Sequence, residues 1–185
     1  MIHPSKSILR ILAAAMLAAC GNLALAQTEA PLITFDQEHP LVNTRSDTPM
    51  VSIYADGTAV VFRAPIYRNP GEYRFQLSDQ ELANILALAS QPGVISFNTY
   101  ELTQTLDEGV DLLHISDPTT SVFTINGNIG NPSAGISANS AESLSLSISV
   151  EDVGPTAERA PDFPGINSLN ALQQELITLF KEAGE

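Results

Sequence analysis

The run Ser143-Leu144-Ser145-Leu146-Ser147-Ile148-Ser149-Val150 alternates small polar and branched apolar side chains without a break. Successive side chains of a strand point to opposite faces, so this pattern makes a β-strand with one wet face and one dry face, and it fits a helix poorly. A second signal of the same kind surrounds Asp56-Gly57. Val51, Ile53 and Ala55 alternate before it, and Thr58, Val60 and Phe62 follow it. Read as a two-residue D-G turn, the hairpin pairs 55 with 58, 53 with 60 and 51 with 62. That register predicts a core face of Val51, Ile53, Val60 and Phe62.

Further elements follow by the same reasoning. A third strand is expected over Glu72 to Leu77, after the turn-rich link from Pro65 to Gly71. Ser78-Asp79-Gln80-Glu81 reads as a capping box, with Leu82, Ile85, Leu86 and Ala89 at helical spacing behind it and Pro92-Gly93 as its stop. Val94 to Leu106 carries no clear period. Strands are expected again at Val110 to Ser116 and Ser121 to Ile125, joined by Asp117-Pro118-Thr119-Thr120. Leu169, Leu172, Leu176, Leu179 and Phe180 form the stripe of a closing helix. The expected fold class is α+β: an antiparallel sheet of about six strands, with two amphipathic helices (about 79–90 and 167–182) packed on one face. Two long linkers, Asn126 to Glu142 and Glu151 to Gly165, read as mobile connections.

The N-terminal residues read as an address and not as fold. Lys6 and Arg10 precede an uncharged stretch from Ile11 to Ala19, which ends in Leu17-Ala18-Ala19-Cys20-Gly21. This resembles a bacterial export signal with a lipobox, and the resemblance implies cleavage before Cys20 and lipidation of its thiol. Ala24-Leu25-Ala26 offers the other cut, an A-x-A site that releases a soluble chain starting at Gln27. Both cuts stay open: residues 1–26 are the signal, or 1–19 in a lipoprotein, with 27–31 a tether and 32–185 a single α+β domain. The apolar stretch is too short to cross about 30 Å of hydrocarbon as a helix, so membrane contact is expected only through a lipid on Cys20. The expected location is the periplasm, free or anchored facing it, or alternatively the medium.

Either cut leaves no cysteine, which removes disulfides, thiolate catalysis and thiolate zinc sites from the mature domain. It also leaves 6 basic against 21 acidic residues, a formal charge of −15. Such a surface does not neutralise phosphates, so nucleic acid is excluded as a partner.

Residues with chemistry are sparse. Asp111-x-x-His114-x-x-Asp117 would share a face on a helix, but in the expected strand His114 points away from the two aspartates, and no metal site is expected. Asp107, Glu108 and Asp111 lack the spacing of a calcium loop. His39 has no second ligand at motif spacing. No serine lies in G-x-S-x-G or S-x-x-K, and no phosphate-binding glycine pattern occurs. No catalytic residue, metal or cofactor is therefore assigned. One bias remains: Arg63, Arg68 and Arg74 are half of the mature basic residues and are interleaved with Tyr67 and Tyr73. Arg and Tyr are enriched at recognition surfaces, so these five form the expected binding surface for an anionic or aromatic partner. The structural alternative is that the arginines pair with carboxylates such as Glu72.

Tyr54-Ala55-Asp56-Gly57-Thr58-Ala59-Val60, Gly71-Glu72-Tyr73-Arg74-Phe75 and Leu77-Ser78-Asp79-Gln80-Glu81-Leu82 together resemble an uncharacterised domain of small bacterial envelope proteins, over residues 32–97. Thr44 to Met50 departs from that pattern in lacking a cysteine pair. The resemblance implies a fold and a compartment, and no activity. Three functions remain: a non-catalytic envelope module binding an envelope protein or cell-wall component, a periplasmic hydrolase using carboxylates, and a secreted inhibitor or accessory factor.

Overall fold

The computed structural model describes residues 30–40, 46–108, 117–127 and 145–184. Its centre is a six-stranded, wholly antiparallel sheet built from β1 (Ile33–Glu38), β2 (Val51–Ile53), β3 (Thr58–Arg63), β4 (Gly71–Gln76), β5 (Thr120–Asn126) and β6 (Ser145–Glu151). The spatial order is β4-β3-β2-β1-β5-β6. The fold is α+β, with six strands in the sheet among the described residues. β1, not anticipated, runs through the middle, although Ile33 and Phe35 alternate with Thr34 and Asp36 as a strand should. The strand expected over 110–116 lies outside the described residues.

The register fixes which side chains meet. Ile33 stands opposite both Ile53 and Ile125, and Phe35 opposite both Val51 and Phe123. The Phe35 and Phe123 rings lie 5.1 Å apart, tilted by 42°. Ile148 and Val150 extend this face outward from Phe123 and Ser121. From Ser145 onward the alternating run thus keeps its serines in solvent and its apolar side chains inward.

The hairpin differs from expectation by one residue. Val51 pairs with Val61 and Ile53 with Ala59, so Ala59 and Val61 join the core face, while Val60 and Phe62 belong to the opposite face. The connection has three residues and not two. Tyr54 N–H donates to the Thr58 carbonyl, Gly57 N–H to the Tyr54 carbonyl, and Thr58 N–H to Asp56 Oδ1. Only Gly57 takes a positive φ (+80°), which suits a type I turn closed by a left-handed glycine; a type I′ turn would need Asp56 there as well. A one-residue slip exchanges the two faces of a strand, hence the correction to Val60 and Phe62.

Among the described residues, five helices complete the fold: α1 (Asp79–Ala89), α2 (Pro92–Ile95), α3 (Thr99–Glu108), α4 (Val153–Arg159) and α5 (Ile166–Glu182). The two expected helices are α1 and α5. The capping box at Ser78 is complete, with Ser78 Oγ accepting from Glu81 N–H and the Glu81 carboxylate accepting from Ser78 N–H. α5 lies against β2 and β3 and buries Leu169, Leu172 and Leu176, with α1 and α4 packed beside it. The stretch from Val94 that lacked a period holds most of α2 and α3. The linker read as mobile from Glu151 to Gly165 is instead largely α4, anchored by buried Val153, Thr156 and Ala157. Tertiary packing overrides local polarity there, because these side chains are buried where α4 meets α5. Among the described residues, no helix is long and apolar enough to cross a membrane.

Candidate functional site

The five residues of the expected binding surface do not share one face. Arg63 alternates with Ala59 and Val61 and therefore points to the core side of β3, where it is 9% exposed. Its Nη1 donates to the Phe180 carbonyl (2.7 Å) and its Nε to the Arg68 carbonyl (3.1 Å), while its guanidinium carbon sits 4.6 Å from the Phe180 ring centre. Tyr67 packs edge-on against Phe180, 5.1 Å away, and burial raises its phenol pKa above the ordinary value. Tyr73 lies on the same side and donates its hydroxyl to the Asn69 carbonyl. Arg68 is exposed. Arg74 projects from the opposite face of β4 and pairs with Glu72 through Nε and Oε1 at 2.8 Å. Two of the five, Arg63 and Tyr67, thus close the C-terminal end of α5, with a cation placed where the last helical carbonyls need a donor.

Convergent polar groups occur elsewhere, at the junction of β1, β5, α4 and α5. β6 ends at Glu151, and Asp152 turns the chain into α4 with left-handed φ and ψ of 42° and 59°. Two hydrogen bonds clamp that turn to the start of β5: Asp152 N–H to the Thr119 carbonyl (2.9 Å), and Thr119 N–H to Asp152 Oδ1 (3.0 Å). Asp is among the few residues that tolerate this conformation. The Thr119 hydroxyl in turn lies 3.0 Å from Nδ1 of His39, at the end of β1. Thr156, buried one turn into α4, donates its hydroxyl to the Glu151 carbonyl and fixes the helix to the strand end.

Between these groups and α5 lies a pocket of about 290 Å³, lined by Gln37, His39, Thr119, Ser121, Asp152 to Pro155, Gln173 and Gln174. Gln173 is only 8% exposed, yet its Oε1 has no hydrogen-bond partner among the described residues. One turn earlier Asn170 Oδ1 is likewise buried without a partner, below Gly154. Buried polar atoms are almost always satisfied; these two oxygens are sealed from solvent, and Asn170 is not among the residues lining the pocket.

No known family, curated protein or solved structure matches this chain.

Asp152 is the one carboxylate among the residues lining this pocket, His39 the one imidazole, and the rest offer amides, hydroxyls and the apolar walls of Val153 and Pro155. A wider groove of about 700 Å³ runs between α3 and residues 159–164, with Glu101 and Asp162 on its walls. Both carboxylates are exposed, and no buried polar atom without a partner lines that groove. No group of three or more metal-ligand side chains converges among the described residues, and Asp111 and His114 lie outside them. Sequence reasoning set His39 aside because nothing at local spacing reaches it. Its partner Thr119 is 80 residues away, joined only through the β1 and β5 pairing.

Proposed function

We propose that the chain is an exported, non-catalytic binding module, and that its ligand site is the Asp152 pocket. The observation carrying this reading is the pocket itself, where one carboxylate, one imidazole and three carboxamides converge around the turn clamped by Asp152 and Thr119. Among the lining residues, one carboxylate and one imidazole engaged by a threonine supply neither paired acids nor an activated nucleophile, which favours binding over turnover. Export rests on Cys20 and Ala24-Leu25-Ala26, whose structure lies outside the described residues. The partner is an envelope protein or cell-wall component that can present a small polar group to the pocket.

Titrating ¹⁵N-labelled mature protein with fractionated envelope extract tests the binding reading. Amide shifts centred on Thr119, Gly154 and Gln173, with the ligand recovered chemically unchanged, support it. Shifts confined to other surfaces, or conversion of the ligand by wild type and not by Asp152→Asn, overturn it. Mass spectrometry of the mature N-terminus tests export: an acylated Cys20 or a free Gln27 supports it, and an intact Met1 overturns it.

A further inference from the structure

We propose that two copies of the chain join through the outer edge of β4, in one antiparallel register centred on Tyr73. Among the described residues β4 is an edge strand, and no other strand pairs with its outer side. The opposite edge is covered: α3 lies against β6, and Thr99 donates its hydroxyl to the Ser149 carbonyl. The phase of the ladder fixes what β4 presents. Leu77 N–H donates to the Gly57 carbonyl, and in the same register Gly71, Tyr73 and Phe75 direct their backbone groups to β3. The N–H and C=O groups of Glu72, Arg74 and Gln76 therefore face outward. Such a row is a template for a further strand.

Charge and shape select a second copy as that strand. With a two-fold axis at Tyr73, Glu72 of each copy stands opposite Arg74 of the other at a hydrogen-bonded position, about 5.5 Å apart at Cα. Glu72 and Arg74 are exposed and already pair within one strand at 2.8 Å, so across the joint the side chains alternate in sign. A slide of two residues either way sets Arg74 against Arg74 or Glu72 against Glu72, and like charges directly opposite are unfavourable. On the other face Phe75, half-buried, meets Gly71 of the other copy. A Cβ on Gly71 would find nothing nearer than the Tyr73 ring, at 3.9 Å, which leaves room for that aromatic. Pro70, with no N–H, falls opposite Gln76 and ends the pairing. The joint is short, which makes the dimer a weak one.

Sedimentation equilibrium of the mature chain tests this, at an ionic strength where a Debye length of about 8 Å screens the repulsion between two acidic copies. A reversible monomer–dimer equilibrium is expected at concentrations up to about 1 mM. Glu72→Arg and Arg74→Glu each set like charges opposite one another and should weaken the dimer at least about tenfold. In an equimolar mixture of the two variants every charge at the joint again meets its opposite, with the summed charge of wild type, and heterodimers should form. The doubly exchanged chain, Glu72→Arg with Arg74→Glu, should recover the wild-type constant. Should either single variant fail to fold, Glu72→Gln and Arg74→Gln remove the attraction alone and should each weaken the dimer about threefold. A wild-type chain that stays monomeric throughout overturns the proposal, as does a dimer that the folded single variants leave unchanged or a mixture that does not associate. A doubly exchanged chain that stays monomeric overturns the Tyr73 register.

Discussion

Arg63 Nη1 donates to the carbonyl of Phe180 at 2.7 Å, joining the end of a central hairpin strand to the last turn of the C-terminal helix. The guanidinium also lies over the Phe180 ring, and a side chain added at Gly184 would collide with it. Removing it leaves a helical carbonyl unsatisfied and a void beneath Tyr67. Arg63→Ala should cost about 3 kcal/mol, and Arg63→Lys less, because one donor survives. Urea midpoints at unchanged slope would measure this. A loss below about 0.5 kcal/mol would show that the contact is not structural and would return Arg63 to the list of recognition residues.

Gly93 in α2 and Gly165 at the start of α5 touch backbone to backbone, and a Cβ on either would strike the other's main chain. Gly165 also has φ of +84°. Alanine at Gly93 should cost at least about 2 kcal/mol by overpacking, and alanine at Gly165 more, since left-handed φ adds strain. The double variant should lose less than the sum, because one displaced backbone accommodates both methyls. Thermal unfolding of the three variants decides it.

Asp36, half-buried on the other face of β1 from Phe35, has its carboxyl pKa raised above 3.8, chiefly by burial. The folded state therefore disfavours the ionised form. Its protonated form contributes stability below the unfolded pKa, and that contribution is lost as pH rises through the folded value. Asp36→Asn, which can still accept from Gln37 N–H, should be more stable than wild type at pH 7 by less than about 1 kcal/mol. The difference should vanish near pH 3; a gap independent of pH would contradict the burial argument.

Glu81 has the opposite sign. Hydrogen bonds from the Ser78 side chain and backbone hold its carboxyl below 4.5, so its contribution is present at neutral pH and lost on acidification through the folded value. Ser78→Ala should cost about 1 kcal/mol near neutrality. The penalty should shrink as Glu81 protonates, which denaturation at pH 7 and pH 3 would reveal.

The elements legible from sequence were those whose stabilisation is local or periodic. Ser78 and Glu81 satisfy each other's backbone across three residues, and the α5 stripe repeats on its own helix, so both were placed almost to the residue. α4 escapes a sequence reading because Val153, Thr156 and Ala157 are buried where α4 packs against α5, whose buried face begins further along the chain, at Ile166. The hairpin lay between these cases: Asp56-Gly57 marked the turn, but whether glycine closes two residues or three depends on which faces the neighbouring strands bury. The five-residue Arg and Tyr cluster read as one surface because sequence proximity was taken for spatial proximity, whereas alternation along β3 and β4 sends Arg63 and Arg74 to opposite faces.

By itself, the sequence determined the α+β class, the one-faced strands, the capped helix and the lack of any thiol after Cys20, since each follows from side-chain period, cap chemistry or composition. Only the tertiary structure decided the register, the burial of Arg63 on Phe180 and the meeting of His39, Thr119, Asp152 and Gln173 around one pocket. Those features depend on contacts between residues tens of positions apart, and the free energy that fixes them comes from burial and from satisfying buried polar groups, neither of which acts before the sheet has formed.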